Sequence, residues 1–220
     1  MPRKVLILGQ PPKKSFLVLD WTKDFSWLSI QMDKKEIAKI TSKDEMKEGK
    51  VFELPPFGML SIKLIRQRLG LSSAYEVRLN NIPVRKSATD PIQILERNFL
   101  LIAIVGGVNV VSGVTAFFSS VGYLQTLGFG WESAIVGGIY IALGLLMRYA
   151  NSLIATYLLL IFYVLDFLLI LFVLFYTGYT NIWGLLFRAY IFTFLVDSIA
   201  AINELNRQKN KGQYPDVLDM

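Results

Sequence analysis

Residues 99–118 read FLLIAIVGGVNVVSGVTAFF, an unbroken stretch with no charged side chain. That is the length an α-helix needs to cross about 30 Å of hydrocarbon. Three more apolar segments follow in the same half of the chain, at 131–147, 152–176 and 182–202. A helix satisfies its own backbone groups in lipid, where no water can, so all four segments read as transmembrane helices. The expected fold class is an α+β membrane protein: a small amino-terminal antiparallel β-sandwich or barrel followed by a four-helix transmembrane bundle.

Ahead of the first span the hydrophobic period changes from helical to two. Leu60, Ile62 and Leu64 alternate with Ser61 and Lys63, and Tyr75, Val77 and Leu79 alternate with Glu76 and Arg78. Alternation of this kind marks strands with one buried face. Further short strands are expected at Phe16–Asp20, Trp27–Met32, Glu36–Ile40, Val51–Leu54 and Ile82–Val84. Asn80-Asn81 suits a tight hairpin, because asparagine tolerates positive φ. Trp21, Phe25 and Trp27 are expected to fill the core of so small a domain. Lys43–Lys50 reads as a charged turn, and residues 1–14 as a flexible terminus too short in apolar content to be a secretory signal.

The β-domain is thus placed at 15–86. Residues 87–98 form a linker and interfacial helix, with Asp90 as N-cap and Pro91 at the first helical position. The bundle spans 99–205 and a tail occupies 206–220. Arg148 lies between the second and third spans, and Arg207, Lys209 and Lys211 lie in the tail. The two remaining connections, 121–130 and 177–181, carry no Lys or Arg. Four spans with this bias place both termini in the cytoplasm, at the plasma membrane or an internal, thylakoid-type membrane. Tyr123, Trp131, Tyr176, Tyr179 and Trp183 would then line the opposite interface.

Two constellations stand out within the spans. Ala103-Ile104-Val105-Gly106-Gly107-Val108 recurs as Ala134-Ile135-Val136-Gly137-Gly138-Ile139, and Gly113 and Gly144 follow at matched spacing. Small residues let helix backbones approach closely, so these six glycines are expected to pack an antiparallel helix pair. The second constellation is the intramembrane polar set Asn109, Asp166, Arg188 and Asp197. A charge in hydrocarbon needs a partner, and the spacing predicts an Asp166–Arg188 ion pair that Asn109 could join. Asp197 lies nearer the cytoplasmic end, within reach of water or Arg148.

Composition narrows the chemistry. The chain has no Cys and no His, which removes disulfides, thiolate nucleophiles, imidazole ligands and the commonest general base. No catalytic, cofactor-binding or metal-binding residue can be singled out. The net charge is +6, but these basic residues flank a membrane, so anionic lipid head groups are a more economical partner than nucleic acid.

Tyr75–Leu79, the linker Ser87-Ala88-Thr89-Asp90-Pro91, the run Gly106-Gly107-Val108-Asn109 and a last span ending in a basic tail carry a resemblance. Over roughly residues 75–205 the chain resembles a loosely defined set of uncharacterised small bacterial membrane proteins of a cyanobacterial type. The resemblance implies four spans behind a soluble domain and no assigned activity, so no functional residue is carried over. The expected function is non-enzymatic. The chain reads as a membrane anchor or assembly adaptor whose β-domain meets a protein partner or a membrane complex, with homo-oligomers possible. The alternative is a small oligomeric transporter or channel subunit that uses the Asp166/Arg188 pair.

Overall fold

The computed structural model describes residues 2–8, 15–67, 72–119, 130–177 and 182–210. The chain divides into two compact units, Met1–Gln93 and Ile94–Met220.

The first unit holds two four-stranded antiparallel sheets. One is built from β1 (Arg3–Leu8), β2 (Ser15–Trp21), β3 (Leu28–Met32) and β4 (Lys35–Ile40) in that order. The other is built from β5 (Lys50–Leu54), β6 (Gly58–Gln67), β7 (Ser72–Leu79) and β8 (Ile82–Pro83). Neither sheet is closed into a barrel. Their inward side chains instead form one core, in which Leu6, Leu8, Leu17, Leu19, Leu28 and Ile30 meet Met46, Leu60, Ile62 and Val77. The period-2 alternation therefore located the buried face of β6 and β7. Trp21 and Phe25 pack against this core, each edge-on to Tyr75 with ring centroids 5.5 and 5.6 Å apart. Trp27 is only half-buried and lies beneath the Lys39 ammonium.

Two expectations are corrected here. The amino terminus expected to be flexible is, over Arg3–Leu8, an edge strand paired with β2. Leu6 and Leu8 point into the core while Val5 and Ile7 stay exposed on the other face, so apolar residues on both faces hide the alternation. The charged turn is a short helix, α1 (Lys43–Glu48), capped by the Ser42 side chain, which accepts from the Glu45 amide. Its one buried residue, Met46, anchors it under the Tyr75 hydroxyl, which donates to Met46 Sδ at 3.1 Å. Ser42 and Glu45 stand at capping-box spacing, a signal visible in the sequence.

The Asn80-Asn81 turn forms as expected, with φ of 51° and 67° and Leu79 opposite Ile82. Asn80 does more than turn. Its Oδ1 accepts from the Met59 amide at 2.9 Å and its Nδ2 donates to the Phe57 carbonyl at 3.0 Å. It thereby ties the β5–β6 loop to the β7–β8 hairpin, where Gly58 sits at φ 105° with no room for a Cβ against the Asn80 side chain. Asn80→Ala should lose about 1–2 kcal/mol, from two hydrogen bonds and a left-handed backbone. Asn81→Gly should stay within a few tenths. Thermal unfolding of the two variants, followed by tryptophan fluorescence, compares them directly.

The second unit is helical, and from Ile94 onward it comprises most of α2 (Pro91–Ser119) with α3 (Trp131–Tyr149), α4 (Leu153–Thr177) and α5 (Ile182–Asn210). The predicted start of α2 holds. Asp90 Oδ1 accepts from the Ile92 amide at 3.1 Å, and the helix runs unbroken from Pro91 through the first span. Among the described residues three helical stretches are long and apolar enough to cross a membrane: Pro91–Phe118, Trp131–Tyr149 and Leu186–Asn210. They mark the chain as an α+β membrane protein. The expected count of four is not reached on that measure, because the apolar stretch of α4 with described side chains, Leu153–Leu169, is shorter than a span. Of the expected aromatic belt, Trp131 and Tyr176 are exposed. The side chains of Tyr123, Tyr179 and Trp183 lie outside the described residues.

Candidate functional site

The repeated glycine motif puts helix backbones in contact. A Cβ on Gly106 would stand 2.8 Å from the Gly137 carbonyl oxygen, and one on Gly137 would run into the Gly106 carbonyl. On one side of that crossing, Gly113 faces the Ala134 amide, which a Cβ would approach to 2.6 Å. On the other side Gly144 rests against Phe99 and Ile102. Contacts that climb α2 while descending α3 define an antiparallel pair. Four of the six glycines therefore lie at the seam. Gly107 and Gly138 do not, since a Cβ on either would meet nothing within 4 Å. One residue is about 100° of helical turn, so the second glycine of each doublet leaves the contact face.

The predicted ion pair is present. Arg188 Nε donates to Asp166 Oδ2 at 2.8 Å and joins α5 to α4. The arginine reaches the aspartate because α4 and α5 run antiparallel from a short connection, which brings positions 22 apart in sequence to one level. Asn109 does not join them. Its Nδ2 donates to the Val105 carbonyl one turn back in its own helix, at 3.0 Å, which satisfies the amide locally. Asp197 lies half-buried on α5 and makes its own contacts. Arg148 reaches Glu96 at 3.1 Å and stacks near Phe99 and Tyr149.

Sequence reasoning missed three interhelical contacts of the bundle. Asn98 is fully buried and donates from Nδ2 to the Phe194 carbonyl at 2.7 Å and to Ser198 Oγ at 2.9 Å, tying α2 to α5. Tyr140 and Tyr163 pair between α3 and α4 with centroids 6.1 Å apart, within electrostatic reach of Asp166 and Arg188. Glu96 with Arg148 ties α2 to α3. Asn98 and Ser198 fall one helical face away from the charged residues beside them, Arg97 and Asp197. An asparagine and a serine inside apolar helices are a recognisable sign of interhelical bonding. What the sequence lacks is any rule that assigns one as the other's partner across a separation of 100 residues.

In the β-domain, burial pushes the Tyr75 phenol up to about 12, so the hydroxyl stays a donor to Met46 at any ordinary pH. Burial also lowers the Lys4 ammonium below its usual value, partly opposed by the Asp90 carboxylate. Among the described residues no group of His, Cys, Asp and Glu gathers that could hold a metal ion. No protein-family model, curated protein or solved structure matches this chain.

These four contacts share one character: each holds one helix to another. That arrangement can fix register and depth. The Asp166–Arg188 pair, with the two tyrosines beside it, is the part of the bundle whose groups could also carry a proton.

Proposed function

We propose that this protein is a non-enzymatic membrane anchor whose β-domain, on the cytoplasmic side, binds a protein partner. One observation carries the reading. On the outer face of the first sheet Val5, Ile7 and Phe16 are exposed at 48, 41 and 52%, with Ile7 directly opposite Phe16 across the β1–β2 pair. An apolar strip on the outside of a small domain is a common mark of a binding surface. It runs along β1, the edge strand of that sheet among the described residues, and an edge strand suits the addition of an extended segment.

The helical unit serves as the anchor. α4 completes the set of four spans as the third in chain order: its backbone helix of 25 residues is about 37 Å long, enough to cross the hydrocarbon. Four spans return the carboxyl terminus to the side of the β-domain, which matches the basic residues at Arg148, Arg207, Lys209 and Lys211. Those side chains would sit among anionic head groups.

Two measurements test this. Reporter tags at the two termini should both be modified by an impermeant reagent only after the cytoplasmic face is opened, and tags on opposite faces would sink the four-span anchor. Purification in mild detergent should bring down a partner that Ile7→Lys releases without loss of the fold. A partner retained by Ile7→Lys would place its surface elsewhere. The transporter reading rests on the Asp166–Arg188 pair with its neighbouring tyrosines. Proton or ion flux in liposomes that disappears in Asp166→Asn would replace the adaptor with it.

A further inference from the structure

The ion pair between α4 and α5 is not enclosed by the four helices. About a third of each side chain, 31% of Arg188 and 35% of Asp166, remains accessible from outside. Among the described residues the guanidinium engages one donor, Nε, although an arginine carries five N–H groups. The pair lies well inside both helices, 13 residues from the start of α4 and six from the start of α5. With α4 taken as a span, as above, these unsatisfied donors and the free carboxylate edge open toward hydrocarbon, which solvates neither.

Among the described residues the exposed neighbours of the pair one turn away are apolar. Phe162 and Leu169 flank Asp166 one turn away on α4, and Phe192 flanks Arg188 one turn away on α5, all of them exposed. A water-filled groove would need polar walls, and acyl chains offer no acceptor. What fits is a surface carrying a charge of each sign at the same depth. This chain has one. The two charges lie 2.8 Å apart between neighbouring helices, so the pair forms a dipole with its ends on two helices at one level. A two-fold axis along the membrane normal reverses the in-plane part of such a dipole. It sets the Arg188 of one copy beside the Asp166 of the other, and a self-complementary patch of this kind is what an isologous dimer requires.

We infer that the protein is a homodimer in the membrane, joined along the α4–α5 face by Asp166 and Arg188 of both copies. The glycine seam between α2 and α3 then serves the fold within one copy and not the contact between copies.

The natural chain has no Cys, so single-cysteine variants report without background. In native membranes Leu169→Cys, beside the pair, should form a disulfide-linked dimer. Ile104→Cys, also exposed but on α2, should not. Copies of Asp166→Asn and Arg188→Gln expressed together should associate with each other about tenfold more than either does with itself, since one supplies the arginine and the other the aspartate. Equal cross-linking at the two cysteines would overturn the inference. So would preferential reaction of Leu169→Cys with a water-soluble maleimide, because the opening would then hold water. The terminal tags separate the two ideas: tags on opposite faces remove the span on which the inference rests, whereas tags on one face with no Leu169→Cys dimer remove the dimer alone.

Discussion

Asp166→Leu and Arg188→Met should each destabilise the helical unit by about 3 kcal/mol, and the two together should recover most of that loss. With α4 taken as a span, as proposed above, either single change leaves one charge in the bundle without its partner, which is more costly than an absent pair. Replacing both with apolar side chains of similar volume removes the desolvation cost along with the attraction. The hydrogen bond of 2.8 Å between Arg188 Nε and Asp166 Oδ2 makes the two sites strongly coupled, so the sum of the singles should exceed the double. Thermal unfolding in detergent of the two singles and the double measures the coupling. Additive losses would show that the pair holds nothing. If the double variant folds normally but no longer transmits protons in liposomes, the pair acts as a carrier and the anchor reading fails.

The glycine seam yields the second large effect, with an internal control. Gly137→Val should cost about 1–3 kcal/mol or more, because its Cβ would run into the Gly106 carbonyl and the Val110 amide, both of which are backbone and cannot turn aside. Gly138→Val, the next residue, should be nearly neutral, since nothing lies within 4 Å of its added Cβ. Alanine at Gly138 should even gain about 0.5 kcal/mol from helix propensity. The same contrast should hold between Gly106 and Gly107 on α2. Melting temperatures in one detergent compare all four positions. Equal effects at Gly137 and Gly138 would mean that α2 and α3 do not meet along this seam.

The exposed apolar strip on β1 and β2 is one that sequence patterning hid. Val5, Ile7 and Phe16 look like core in a one-dimensional reading, because hydrophobicity records how a residue partitions and not which way it points. β1 is illegible for the same reason: Val5-Leu6-Ile7-Leu8 is apolar throughout, and period-2 alternation exists only after the strand pairs and Leu6 and Leu8 turn inward. α1 was legible in principle from Ser42 and Glu45, but a helix of six residues is too short to show a period.

The sequence by itself determined the class of the protein and the local turns. Long runs of apolar residues can be stable only in lipid or in a large core, period-2 alternation demands a half-buried strand, and Asp90-Pro91 and Asn80-Asn81 fix backbone angles through their own side chains. The matching of Asp166 with Arg188 was also within reach, because α4 and α5 are adjacent and a short connection fixes which levels can meet. Tertiary structure decided the rest. It chose Gly106 over Gly107, sent Asn109 back to its own helix, and joined Asn98 to Phe194 and Ser198, 96 and 100 residues on in the chain. Those outcomes depend on the rotation of each helix about its axis and on which helices are neighbours. Both are set by the packing of every side chain at once, so no single residue announces them.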